Sequence, residues 1–551
     1  MKKIFNSISK KVLALAVIAG FSACQNFLEV MPADQVADAT AWSATPNADM
    51  FLNDIYNSLE GYFNTNDPDE NFSDNAMRGS SSGYSFTTYA KSNYDPSSIR
   101  DDWTPNYTKI RKCNLFIEKV EASSLPENWK KQRLAEARFL RAYFYHILWM
   151  KYGGVPLITE SLNRQTQGDE IFRGRNTAEE TYEFIVSECT AIANDLELKP
   201  ETGRVSRGAA LTLKGWCQLY QASPLRNPSN DKSRWAAAAA TNKQVMDLNA
   251  YDLFPNLETL FYEENNNNVE VIFDKAYLGG TNLGASREGL HGAWFVGGTQ
   301  RAWSAPIPTQ ELVDSYFMAN GLPITDPASG YDPQKPYENR EKRFYQSVIY
   351  DGCMWLGYEM EMWIGSGSPN TLDLSSANEA TNTGYYLRKG LNPKYEFVSG
   401  NLRLSSAHYI LFRYAEVLLS YAEAQNEAVG PDESVYAALN KVRARSELPA
   451  LKEGLTQAQM RQAIDQERRV ELAFEERRWY DLLRTKQAEV KLNTQFHAMK
   501  IEKVSGVKRY QVIPAPNGER IFYPAKNYLL PVPQAVLDKN SKLEQNPGYT
   551  K

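Results

Sequence analysis

The densest run of ionisable side chains in this 551-residue chain is Glu467–Arg484, ERRVELAFEERRWYDLLR. Glu467, Glu471 and Glu475 recur every four residues, a spacing that sets three carboxylates on one helical face. Arg468, Arg469, Arg477 and Arg478 fall within pairing reach of acids on the same or neighbouring helices. Carboxylates at this spacing could bind a metal, but a helical metal site wants histidine partners, as in Glu-x-x-His, and none stands here. The run is read instead as ion pairs between packed helices, because the arginine fork meets carboxylates in two-pronged geometry. Val470, Leu472, Phe474 and Trp479 fill between them.

Gly79-Ser-Ser-Ser-Gly83 matches G-x-S-x-G, the turn that exposes a nucleophilic serine. That turn needs a buried strand before it and a helix after it. NFSDNAMR precedes and YSFTTY follows, and neither fits. With four histidines in the whole chain (His146, His291, His408, His497), a serine hydrolase is set aside. A glycosidase needs two acids about 5–10 Å apart in space, which no motif reveals, and nothing in the sequence points to such a pair.

The third kind of chemistry is non-covalent. Trp294, Phe295 and Trp303 flank Gly297-Gly298, and Trp355, Tyr358 and Trp363 sit among Gly352, Gly357 and Gly365. Glycines offer an indole little to pack against. A sugar ring presents a flat C–H face that an indole can cover, while neighbouring Asn, Asp or Arg take its hydroxyls. One aromatic ring offers about 150–250 Å² of contact, and covering a third of it contributes on the order of 1–2 kcal/mol. Two or three such platforms predict micromolar-to-millimolar binding, suited to capture and release. A second candidate patch is the polar loop with Asp74, Asn75, Arg78, Tyr84 and Phe86.

Helical elements must carry these loops. Trp103–Val120 has apolar residues at spacings of three and four. Pro126 opens the next helix, which runs to the Gly153-Gly154 stop. Thr177–Leu196 follows, with Thr177 and Glu180 spaced as a capping box. Ser206–Gln221 and Arg234–Leu248 form a further pair, and Leu411–Ala428, Asp432–Arg445 and Thr456–Arg484 repeat the pattern. Paired helices of this kind predict a mainly α fold of tetratricopeptide-like units, which bury their faces only by stacking. Asn265–Leu404 is rich in Gly, Asn, Ser, Pro and aromatics, with VEVIFDKAY as a candidate strand. Its tryptophans and tyrosines argue for an ordered, loop-rich subdomain. The expected organisation is a signal peptide at 1–23, an N-terminal helical region at 24–264, a ligand-binding subdomain at 265–404 and a C-terminal helical region at 405–551.

The amino terminus sets the compartment. Lys2, Lys3, Lys10 and Lys11 precede a short apolar stretch, VLALAVIAG, and then Phe21-Ser22-Ala23-Cys24. A basic patch, a short apolar run and small residues describe a secretory signal peptide, since a bilayer span needs about 20 apolar residues. Cleavage before Cys24, with acylation of its thiol and new amino group, fits a lipobox and predicts a durable membrane anchor. Removing those four lysines takes the formal charge from −5 to −9, which argues against nucleic acid as a partner. Cys113, Cys189, Cys217 and Cys353 form no C-x-x-C, leaving buried thiols and disulfides both open. No cofactor is indicated. A structural calcium stays open, although no D-x-D-x-D-G-type loop is present.

Taken together, four blocks resemble the SusD/RagB family of outer-membrane nutrient-binding lipoproteins. They are Cys24-Gln-Asn-Phe-Leu-Glu, Glu136-Ala-Arg-Phe-Leu-Arg-Ala-Tyr with Tyr152-Gly-Gly-Val-Pro-Leu-Ile, the stretch FRYAEVLLSYAEAQN from Phe412 to Asn426, and Glu467–Arg484. Tyr528-Leu-Leu-Pro-Val-Pro and Gln545-Asn-Pro-Gly-Tyr549 also match in kind and place. The resemblance implies a non-catalytic glycan-binding lipoprotein at the outer membrane, facing the cell exterior. Such a protein sits as a lid on a SusC-like TonB-dependent transporter and hands it oligo- or polysaccharide. Some branches of the family serve peptides instead, and a glycan-degrading enzyme is the remaining alternative. After Cys24 only Glu29 is acidic, so the acid-rich surface-export signal of related lipoproteins is indistinct.

Overall fold

The computed structural model describes residues 41–61, 68–78, 89–279, 287–304, 306–365, 381–395 and 404–550. The signal peptide, Cys24, Gly79–Gly83, Tyr84 and Phe86 lie outside them. Ten main helices carry the fold: α1 (Thr45–Asn57), α2 (Trp103–Glu121), α3 (Glu127–Tyr152), α4 (Ala178–Ile192), α5 (Arg207–Ala222), α6 (Lys232–Asp247), α7 (Tyr414–Val429), α8 (Glu433–Arg445), α9 (Gln457–Glu471) and α10 (Arg478–Arg484). Each from α2 to α8 packs on the next in sequence, and α9 packs on α7. The chain is thus mainly α and built of stacked helix pairs, as expected.

Local chemistry sets the helix ends. The Asp101 side chain accepts from the backbone N–H groups of Trp103 and Thr104, both at 2.9 Å. Thr177 and Glu180 form the expected capping box, and Thr456 with Gln459 forms a second. Ser206, Asp231 and Asp432 cap α5, α6 and α8 by accepting first-turn N–H groups. Gly153, at φ 77°, stops α3, and a Cβ on Gly154 would stand 2.1 Å from the Asn176 carbonyl oxygen, a space only glycine leaves. α3 is the central helix. Phe139, Phe144, Tyr145, Trp149 and Tyr152 on it are completely buried.

Twelve strands among the described residues, most of them short, pair two by two, all antiparallel. β1 (Ala76–Arg78) pairs with β5 (Pro306–Pro308), and β2 (Val271–Lys275) with β10 (Tyr409–Arg413). β3 (Phe295–Val296) pairs with β4 (Thr299–Gln300), β6 (Val348–Ile349) with β9 (Tyr386–Leu387), and β7 (Met354–Trp355) with β8 (Tyr358–Glu359). β11 (Gln495–Val504) and β12 (Val507–Glu519) form a long hairpin that the helical periodicity gives no sign of. The strand expected within VEVIFDKAY is β2.

Two helix expectations are corrected. Leu411–Arg413 belongs to β10, because its backbone is taken up by pairing with β2, and the helix starts at Tyr414. Thr456–Arg484 is two helices with a break between them, where Phe474 and Glu476 take left-handed backbone angles of 63° and 61°. The break is held by partners from elsewhere: the Phe474 N–H donates to Glu70 Oε1 at 3.1 Å, and the Glu475 carboxylate meets Arg413 Nε at 2.6 Å and Lys389 Nζ at 2.5 Å.

The acid–base run is the core of an ion-pair network. Glu467 meets Arg343 at 2.5 Å and Arg443 at 3.2 Å. Glu471 meets Arg413 at 2.7 Å and also Arg445, and Arg413 and Arg445 share Glu270. These cations hold the Glu471 carboxyl well below its ordinary range in spite of burial, and the Glu475 carboxyl down to about 2. Arg478 and Arg469 both reach Asp74, at 2.7 and 3.2 Å, which ties the N-terminal turn to α9 and α10. Cys113, Cys189, Cys217 and Cys353 are all free and buried.

Candidate ligand-binding site

Two glycine-turn hairpins of the middle region bring the predicted aromatics together. Gly297 and Gly298, at φ 61° and 75°, close the β3–β4 hairpin, and Leu356 and Gly357, at 49° and 81°, close β7–β8. Positive φ at both central residues is the tight turn whose twist suits a two-residue hairpin. The Tyr358 ring packs directly on Gly297, where an added Cβ would stand 2.5 Å from ring carbon Cε1. Backbone bonds lace the following loop to the residues before it: Arg301 N–H to Trp294 O at 2.7 Å, Trp303 N–H to Gly289 O at 3.0 Å, and Ser304 N–H to Gly292 O at 3.0 Å.

The result is an aromatic shelf. Trp303 is 45% exposed and Tyr358 44% exposed. Trp294 lies half-buried beneath, its ring centroid 5.3 Å from that of Trp303 with the planes at 72°, and Phe295 stands edge-on to Trp294 at 6.1 Å. Met354 is also exposed, but it pairs with Glu359 and so projects from the opposite face of the hairpin to Tyr358.

The other predicted residues have different surroundings. Trp355 is buried, with the Arg388 guanidinium 5.3 Å over its ring and Arg388 held by Glu258 at 2.7 Å. It supports the hairpin and presents no face to a ligand. Trp363 is half-buried under the Lys503 ammonium, 5.1 Å from the ring centroid, and the Ile364 N–H donates to Ile501 O of β11 at 2.9 Å. Asp74 and Asn75 are buried too. Asp74 is gripped by Arg469 and Arg478, and Asn75 donates to Glu70 Oε1 at 2.8 Å and accepts from Arg469 Nε at 2.9 Å. The expectation that this pair faces a ligand gives way to a packing role, because every polar contact they make is internal. Arg78 is half-buried at the end of β1, opposite Pro306. Tyr84 lies outside the described residues.

One carboxyl near the shelf is perturbed. Glu288, buried in the helical turn Arg287–His291, has its carboxyl pushed up to about 7 by burial. Glu361 faces Lys503 at 3.4 Å. Among the described residues, no three His, Cys, Asp or Glu side chains are grouped to hold a metal ion, and no helix is long and apolar enough to cross a membrane.

Comparison with known proteins agrees with this architecture. Residues 269–549 match the model of the SusD family, and residues 26–214 match a SusD-like family described as starch-binding and associating with the outer membrane. A SusD-like protein of Formosa agariphila is 25% identical over 515 residues, covering 89% of this chain and 93% of its own length. A SusD-like protein from Bacteroides fragilis superposes with a TM-score of 0.79 at 28% identity, covering 94% of this chain and all of that one. A SusD-like carbohydrate-binding protein from the same species gives a TM-score of 0.76 at 26% identity, over 92% of this chain and all of that one. The chain belongs to the SusD family.

Proposed function

We propose that this member of the SusD family captures oligo- or polysaccharide on the Trp303–Tyr358 shelf. In this reading it cleaves nothing, and it delivers the glycan to a SusC-like TonB-dependent transporter in the outer membrane. The observation that carries the reading is the exposure of two aromatic side chains of the middle region: Trp303, set edge-on to the half-buried Trp294, and Tyr358, packed on the Gly297 turn. Rigid aromatic surface adds contact area at little entropic cost, and related proteins of this architecture are described as carbohydrate-binding and starch-binding. Acylation at Cys24 would hold the protein at the outer membrane, facing the cell exterior. A peptide ligand would favour a groove lined by charge or apolar side chains over an open aromatic shelf.

Affinity electrophoresis across a panel of polysaccharides tests the reading. At least one polymer should retard the native chain, and Trp303→Ala should lose that retardation. Co-purification from detergent-solubilised outer membrane should bring down a large β-barrel, and Cys24→Ala should release the protein from the membrane fraction. Reducing ends released from the bound glycan by pure protein would favour a hydrolase instead, with Glu288 the first carboxyl to replace.

A further inference from the structure

A cavity of about 480 Å³ with mixed polar and apolar walls lies in the helical scaffold, at the meeting of α2, α3, β10 and α10, and shares no residue with the aromatic shelf. Most of its charge is internally cancelled. Asp69, Asp102, Arg100 and Lys151 close on one another, with Lys151 Nζ 2.8 Å from Asp102 and Arg100 Nη2 3.0 Å from Asp69, and Arg477 is taken by Glu416 at 2.7 Å.

A second set of groups on the same walls is left over. The Tyr143 hydroxyl and His146 Nε2 belong to side chains 3% and 5% exposed, line the cavity, and have no hydrogen-bond partner among the described residues. The His146 tautomer is fixed: Nδ1 lies 2.6 Å from the Tyr143 carbonyl oxygen, which only accepts, so Nδ1 carries the proton and Nε2 presents a lone pair. Burial holds the imidazole neutral, with its pKa down to about 3. The Lys109 ammonium lies 5.1 Å from the Phe144 ring and is attracted by Glu60 and Asp102, but neither it nor the Glu60 carboxyl has a hydrogen-bond partner among the described residues. Burial, with Asp69 and Glu70 close by, pushes the Glu476 carboxyl well up, and its Oε2 accepts from the Glu70 N–H at 3.2 Å. Ile147, Met150 and Phe412 supply apolar wall.

We propose that this cavity is a second binding site, for a neutral polyhydroxylated molecule of monosaccharide size. The unmet groups are donors (Lys109, Tyr143) and acceptors (His146 Nε2, Glu60) on the walls of one cavity. A hydroxyl both donates and accepts, so a ring of hydroxyls satisfies such a surface more fully than a group of one kind. Lys109 and Glu60 balance each other, which disfavours a ligand with net charge. The volume is within the roughly 300–1,000 Å³ typical of small-molecule pockets, and the apolar wall suits the C–H face of a sugar ring.

Saturation-transfer NMR on the full chain tests this, with glucose, galactose, mannose and xylose as probes at about 10 mM, enough to detect millimolar binding, and zwitterionic serine and net-negative glutamate as ionic controls. At least one sugar should receive saturation from the native protein and equally from Trp303→Ala, which disables only the shelf. Tyr143→Phe, which removes one oxygen, and Lys109→Met should each weaken that sugar about tenfold with an unchanged melting temperature. Absence of any sugar signal would overturn the site, as would loss of the signal in Trp303→Ala, preference for an amino acid, or native affinity in both cavity variants. Should Tyr143→Phe fail to fold, Lys109→Met, at a half-buried position, decides alone.

Discussion

Trp303 stands edge-on to Trp294, centroids 5.3 Å apart and planes at 72°. One indole therefore faces solvent while the other, half-buried, fixes its angle. Holding an exposed aromatic rigid before a ligand arrives reduces the ordering cost of binding. Trp303→Ala should weaken glycan binding about 5- to 30-fold, the equivalent of 1–2 kcal/mol of lost ring contact, with little change in melting temperature. Trp355→Ala should do the reverse, destabilising the fold by about 3–5 kcal/mol as a buried aromatic truncation. Paired affinity electrophoresis and urea melts separate the two outcomes.

Gly297 and Gly298 share a turn but not a neighbour. Both need positive φ, yet only Gly297 touches Tyr358, and an added Cβ on Gly298 meets nothing within 4 Å. Gly298→Ala should cost about 1 kcal/mol of backbone strain and leave glycan binding intact. Gly297→Val should displace the Tyr358 ring and weaken binding several-fold beyond that strain. Isothermal titration with the retained glycan reads the difference.

Asp74 joins residues 404 positions apart in sequence by meeting Arg478 at 2.7 Å. Removing one partner of a buried ion pair leaves an uncompensated charge and costs about 3–5 kcal/mol. Asp74→Ala and Arg478→Ala should each lower the denaturation midpoint by this order. The double variant should lose less than the sum of the two, which a double-mutant cycle in urea measures.

Stability should depend on pH in two opposite windows. Burial raises the Glu70 carboxyl to about 7, so the folded state holds this proton more tightly than the unfolded chain. The resulting stabilisation is fully present below about pH 4.5 and is lost as pH rises through 7. Glu475, lowered to about 2 by Arg413 and Lys389, contributes stability above about pH 4.5 that is lost as pH falls toward 2. Glu70→Gln should flatten the decline in unfolding free energy between pH 5 and 8 by on the order of 1–3 kcal/mol and leave the acid limb unchanged. Calorimetry across pH 3–9 checks both limbs.

Sequence alone determined most of the helices and several of their ends, but not that Leu411–Arg413 is strand or that Thr456–Arg484 breaks in two. The pairs Thr177 with Glu180 and the Gly153-Gly154 stop act within a few residues, so their chemistry is complete in a local window. It also determined that Glu467–Arg484 is a packing network, because the residue types admit little else without histidine. Tertiary structure alone decided which aromatics face water. Trp355 and Trp303 stand in equally glycine-rich surroundings, but Arg388, brought by β9 and held by Glu258, covers one of them, while nothing among the described residues stacks over the outer face of the other. It also decided that Asp74 and Asn75 turn inward, since their partners lie about 400 residues downstream. A side chain's exposure is set by what the rest of the chain brings to it across space, and no local window of sequence holds that information.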